Sequence, residues 1–149
     1  MELVSVNEME QLVEEQTVDS QIDDFTASFI YELADKSYKT LPELLKRDYG
    51  ITVTSSLIRQ FVKDEEGKDI QVNIIGQAER NGKKIMIIGD VKSQLSKNDT
   101  DDFIIKKINR LKSVYEEVFP IMVTHMPTGS DVAEYVKSKG IALYYSYNF

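Results

Sequence analysis

Two residues of opposite charge, Asp90 and Lys92, follow the apolar run Ile85-Met86-Ile87-Ile88 with one residue between them. In an extended chain they share a face, because side chains alternate along a strand. A carboxylate at a strand end can hold Mg²⁺ or Mn²⁺, hard cations that take oxygen ligands. Such an ion activates a water and neutralises charge on a phosphoryl group. A lysine beside it stabilises the negative charge that develops as a phosphodiester is attacked. An Asp-x-Lys taken alone is more often a solvated ion pair worth little, so the elements around it have to decide.

The nearest constraint is the turn. Arg80-Asn81-Gly82-Lys83 places Asn-Gly between two strand-like runs, the signal for a two-residue type I′ hairpin. If Arg80 faces Lys83, paired residue numbers sum to 163. Asn73 then faces Asp90 and Gln71 faces Lys92, provided no bulge intervenes. Directly opposed residues point to the same face, so the turn gathers Asn73, Asp90, Lys92 and Gln71 into one cluster.

The rest of the chain supplies the frame. Residues 7–36 read as a helix, with Val18, Ile22, Phe25, Phe29 and Leu33 on one apolar stripe. Thr40 and Glu43 form a capping-box pattern with Pro42 in the first turn, predicting a short second helix over 41–49 that stops at Gly50. "ITVTSSLIRQFVKD", "KDIQVNIIGQAER" and "KKIMIIGDVKS" read as three strands. A helix over 100–119 carries Ile104, Ile108, Leu111, Tyr115 and Val118 on one stripe, with Asp101 and Asp102 in its first turn. "PIMVTHM" is a fourth strand. Ser130 caps a short helix through Lys139 that ends at Gly140, and "IALYYSYN" is a last strand. The expectation is one α/β domain with a mixed sheet, divided into an acidic helical arm over 1–40 and an α/β core over 41–149.

Composition narrows the function. The chain has no cysteine and one histidine, His125, which excludes disulfides, thiolate centres and multi-histidine zinc sites. No apolar run is long enough to span a bilayer, and the N-terminus lacks the pattern of a signal peptide, so a cytoplasmic protein is expected. The net charge of −7 would argue against a nucleic-acid partner. Its distribution does not. Residues 1–40 carry ten acids against two lysines, whereas residues 41–149 carry fifteen acids against sixteen lysines and arginines.

The stretch "IQVNIIG…NGKKIMIIGDVKSQLS" resembles the core of the PD-(D/E)XK nuclease-like superfamily, which includes restriction endonucleases and archaeal Holliday-junction resolvases. The order of helix, three strands, helix and strand over residues 41–124 matches as well. The resemblance implies a restriction-endonuclease-like mixed sheet: helix, three-strand antiparallel meander, helix, strand, helix, strand, with an N-terminal helical arm. It also implies a Mg²⁺- or Mn²⁺-dependent nuclease that hydrolyses DNA phosphodiesters. Asp90 and Lys92 match the (D/E)XK element, Val91 would offer its backbone carbonyl to the metal, and Asn73 falls where relatives carry their first acid. Asn73 has a ligating oxygen but no charge, so the metal would be bound weakly if at all, and hydrolysis impaired. The alternative is an inactive nuclease-fold module for nucleic-acid binding or protein assembly.

Further candidates have plainer roles beside the functional ones. In some relatives a glutamate of the first helix joins the metal, which points to Glu32 or Glu43; Glu43 already has work as a capping partner. Ser93, Gln94, Lys97, Lys107 and Arg110 could follow a phosphate backbone together with Lys106 and Lys112, or form the solvated face of a helix. Tyr144, Tyr145, Tyr147 and Phe149 could stack bases, or pack a terminal strand. The Val18–Leu33 stripe predicts core packing or a homodimer formed through the arm.

Overall fold

The computed structural model describes the backbone of residues 6–149 and the side chains from Thr26 onward. The element order is α1 (Val6–Tyr49), β1 (Thr52–Val53), β2 (Ile58–Lys63), β3 (Asp69–Arg80), β4 (Lys83–Leu95), a helical stretch α2, β5 (Val118–Pro127), α3 (Val132–Ser138) and β6 (Ala142–Tyr145). α2 comprises Lys97–Phe103, a π-helical Ile104–Ile108 and Asn109–Leu111. The sheet has six strands in the order β1-β3-β4-β5-β6, with β2 also pairing with β3. β1 to β4 pair antiparallel; β4, β5 and β6 run parallel. This is the mixed α/β sheet that the sequence predicts, with helical crossovers between the parallel strands.

Two apolar layers flank the sheet. On one face Leu33, Ala34, Leu41, Leu44 and Leu45 of α1 pack on Ile74, Ile87, Val91, Ile121 and Val123. On the other, Phe103, Ile108 and Leu111 of α2 and Val132 and Val136 of α3 pack on Val72, Ile75, Ile88 and Met122. Both faces of β4 and β5 are therefore covered, which is why their sequences run apolar without alternation.

Several local expectations change. Thr40 and Pro42 lie inside α1, so no capping box interrupts it. Leu33, Ser37, Leu41, Leu44 and Leu45 form one buried stripe across the proline, and burial of that stripe outweighs the backbone hydrogen bond that Pro42 cannot make. Val18, Ile22 and Phe25 lie outside the described side chains. The first expected strand is two, β1 and β2, lying end to end on the edge of β3 away from β4. Between them the chain crosses close over Gly76, where a Cβ would sit 2.6 Å from Leu57 Cδ2.

α2 begins at Lys97, because Ser96 and Asp99 form a reciprocal capping box that precedes the expected start. It ends at Leu111, and Val118 belongs to β5, where it pairs with Met86. α3 starts at Val132 after Asp131, with no side-chain cap; the Asp131 carboxylate is drawn 2.6 Å from Lys97 Nζ instead.

Candidate functional site

The Asn81-Gly82 turn forms as expected, with both residues at positive φ, 54° and 76°. From Arg80↔Lys83 to Ile74↔Gly89 every β3–β4 pair follows the predicted register. At Gly89 there is no room for a side chain; a Cβ there would lie 2.9 Å from Ile74 Cβ. Pairing stops at that point, so Asn73–Asp90 and Gln71–Lys92 are not ladder pairs. The cause is a β-bulge in β3. Ile58 pairs with Ile75 and Gln60 with Val72, two steps on β2 against three on β3. The extra residue breaks alternation, so Val72 and Ile75 enter the same apolar layer while Ile74 enters the other. The assumed absence of a bulge fails at Asn73 itself.

The four side chains still meet. Where β3 and β4 separate, a cleft of about 320 Å³ opens, and its lining includes Gln71, Asn73, Asp90 and Lys92. α1 contributes Ala27, Ile30 and Tyr31, and α2 contributes Asp99, Asp102, Phe103, Lys106 and Lys107. Asn73 holds the split together. Its Oδ1 accepts from the Val91 N–H at 3.2 Å, replacing the lost ladder bond. Its backbone carbonyl accepts from the Tyr38 hydroxyl at 2.6 Å. Burial pushes the Tyr38 hydroxyl above its ordinary range, with Arg59 opposing the shift, so Tyr38 stays a donor.

Asp90 is buried and Lys92 half-buried. Lys107 Nζ lies 3.1 Å from Asp90 Oδ1. Lys107 comes from the π-helical turn, in which Asn109 N–H reaches Ile104 C=O; such wide turns often stand at functional sites. Asp102 and Lys106 are 3.7 Å apart, and Asp99 is committed to its capping box. Among the described residues, Lys92 alone of the cleft's three lysines has no acidic partner and no hydrogen bond.

The other candidates are dispersed. Lys97 pairs with Asp131 and Arg110 with Asp64. Ser93 gives its carbonyl to the Thr124 hydroxyl, and Gln94 is exposed. Glu32 lines a different, smaller cleft with His125 and Ser146, and Glu43 is exposed. Tyr144 is buried, donating to Asp48 at 2.8 Å, while Tyr145 stacks on exposed Tyr147.

The donor set does not fit a Mg²⁺ or Mn²⁺ centre as it stands. Among the described residues no three Asp, Glu or His side chains gather to hold a metal. The one motif carboxylate is ion-paired with Lys107, the Asn73 oxygen is taken by an N–H, and the described α1 residues of the cleft are not acids. The arrangement suits an anion better: among the described residues Lys92 has no acidic partner, while Lys106 and Lys107 are each matched by an acid. Composition gave no sign of the Lys107–Asp90 contact. Spacing did: Ile104, Lys107, Ile108 and Leu111 fall on one helical stripe, and a lysine on an apolar stripe needs a buried partner.

Comparisons with known proteins are remote. No protein-family model matches the chain. The small heat shock protein C1 of Rickettsia prowazekii (strain Madrid E) is 25% identical over 95 residues, 60% of this chain and 58% of that protein. Among solved structures, the protein of unknown function AF1548 is similar with a TM-score of 0.45 and 13% identity, over 78% of this chain and 57% of that one. EndoMS in its apo form gives 0.39 and 16% over 72% and 44%. This chain thus spans little more than half of the curated relative and of AF1548, and less than half of EndoMS. Likeness this distant assigns neither a family nor an activity.

Proposed function

We propose that the cleft between β3 and β4 binds the phosphodiester backbone of DNA, on a nuclease-like fold whose hydrolytic site is impaired. The observation that supports this is the pairing pattern: Lys92 is half-buried and unpaired among the described residues, while Asp90 is engaged by Lys107. A free ammonium over a cleft attracts phosphate. Mg²⁺ or Mn²⁺ would be held weakly if at all, by Asp90, Asn73 and the Val91 carbonyl. Ser93 and Gln94 are the next candidate DNA contacts, whereas Lys97, Lys107 and Arg110 are each held by an acid and would meet a phosphate only by releasing it. The apolar stripe of the N-terminal arm is proposed to join two copies of the chain, which light scattering of the full chain checks.

The test is binding of branched and linear DNA, measured by fluorescence anisotropy at low salt with and without Mg²⁺, alongside incubation with supercoiled and branched DNA in Mg²⁺ or Mn²⁺. The expected result is metal-independent binding without cleavage. A second reading, a working nuclease, is favoured by Asp90 and Lys92 sharing one cleft in (D/E)XK order. Cleavage lost in both Asp90→Ala and Lys92→Ala would establish it. Absence of DNA binding in any form tested would remove the first.

A further inference from the structure

We infer that Lys107 is the resident cation of the cleft, standing where a divalent metal would stand, and that it blocks metal binding which Asn73 alone would merely weaken. The inference rests on the nuclease-like reading of Asp90, but it concerns metal affinity and is separable from DNA binding. Three observations carry it. Lys107 Nζ sits 3.1 Å from Asp90 Oδ1, with the two side chains only 21% and 8% exposed. The lysine is aimed inward from the π-helical turn Ile104–Ile108, on the stripe that also buries Ile108 and Leu111. Lys92 lines the same cleft with no acidic partner among the described residues, while Lys106 is matched by Asp102.

The consequence is one of charge. A dication gains affinity from net negative charge in its ligand set. Asp90 with Lys107 sums to zero, and over the whole cleft Asp90, Asp99 and Asp102 balance Lys92, Lys106 and Lys107, so no net negative charge is left for a dication. A metal on the Asp90 oxygen would share that oxygen with an ammonium, and the two cations would repel at close range. Restoring an acid at position 73 does not cure this while Lys107 remains. It would also place a carboxylate next to the Val91 N–H, which already satisfies the present amide oxygen.

The experiment is Mn²⁺ titration of the full chain, followed by electron paramagnetic resonance and calorimetry, in the wild type, Asn73→Asp, Lys107→Met and the double variant Asn73→Asp/Lys107→Met. Methionine keeps the apolar stem and removes the charge. The wild type and Asn73→Asp are expected to bind Mn²⁺ no more tightly than when Asp90→Asn is added to each. The double variant is expected to bind at least about tenfold more tightly than Asn73→Asp, and to lose that gain when Asp90→Asn is introduced. Equal affinity in Asn73→Asp and the double variant overturns the inference, as does a double variant that gains nothing. If Lys107→Met does not fold, Lys107→Gln takes its place. If neither folds, Lys107 is a structural residue and the inference falls. A chain whose Mn²⁺ affinity follows this pattern while the wild type ignores DNA would refute the DNA-binding reading alone. The opposite pair of results would refute this one alone.

Discussion

Asp64 and Asp90 are two carboxylates with the same side-chain exposure, 8%, each paired with a cation from α2. They differ in how completely they are satisfied. Asp64 accepts from Arg110 Nε at 3.0 Å and Nη2 at 2.7 Å, and from the backbone N–H groups of Glu66 and Lys68. Those bonds close the β2–β3 turn at Gly67 and pin it to α2. Among the described residues Asp90 has one partner, Lys107, and it faces an open cleft. A buried carboxylate with every lone pair committed is a staple. One with lone pairs to spare is a site, because an unspent acceptor costs stability unless something binds it.

The largest expected effect lies at the staple. Asp64→Ala strips four hydrogen bonds and leaves a part-buried guanidinium without its acid, which is strongly destabilising. It is expected to lower the thermal midpoint by several degrees. Asp90→Asn removes one ion pair but keeps an oxygen acceptor beside Lys107, so stability should change by no more than about 1 kcal/mol. Thermal melts of both variants decide the matter. If Asp90→Asn costs as much as Asp64→Ala, the distinction between staple and site is lost.

Acid should find the same staple. The Arg110 guanidinium holds the Asp64 carboxyl below its ordinary 3.8, helped by the Lys68 and Glu66 N–H groups and opposed by burial. Between the depressed native value and 3.8 the unfolded chain binds more protons, so stability rises with pH there. The contribution is complete above the unfolded value and disappears as pH falls through the native one. Asp64→Asn is expected to flatten that part of a urea-midpoint profile against pH. An unchanged acid limb in Asp64→Asn would assign the acid sensitivity elsewhere.

Asn73 belongs to the site by position and to the scaffold by its bonds. Asn73→Ala leaves the buried Val91 N–H without its acceptor, a loss of about 1–3 kcal/mol. Asn73→Asp keeps an acceptor there and should lose less. Urea unfolding of the two variants separates them. Equal losses would mean that the amide does not stand in for the missing ladder bond between β3 and β4.

These contrasts also mark what the residues announced in advance. Asn81-Gly82 set the hairpin register correctly over seven pairs, because a two-residue turn admits one alignment. The same arithmetic ran out at Asn73, because the bulge in β3 is set by its pairing with β2 along its other edge. A two-strand argument carries no information about a third strand. The helix boundary at Thr40 was misplaced for a related reason: local capping chemistry was legible, but the buried stripe from Leu33 to Leu45 overrides it. Asp90 and Lys92 were found by type and spacing. As a candidate phosphate contact Lys107 is read outward, although its place between Ile104 and Leu111 puts it on the apolar stripe, and the π-turn beside Asp90 has no sequence signature.

The smallest expected effect is the one that bears most on function. At the staple every cation is spent, so Arg110→Ala should destabilise the chain while leaving the salt dependence of DNA binding as it was. At the site Lys92 has no acidic partner among the described residues, so Lys92→Ala should leave the thermal midpoint in place and weaken DNA binding roughly three- to tenfold at low salt. If Lys92 contacts one phosphate, the slope of log affinity against log salt should fall by about 0.9. Anisotropy titrations across a salt series measure both quantities on the same samples. A slope that falls for Arg110→Ala and not for Lys92→Ala would move the nucleic-acid face from the cleft to the outer side of α2. An unchanged slope in both would mean that neither cation meets a phosphate, and that any DNA affinity arises away from the separated ends of β3 and β4.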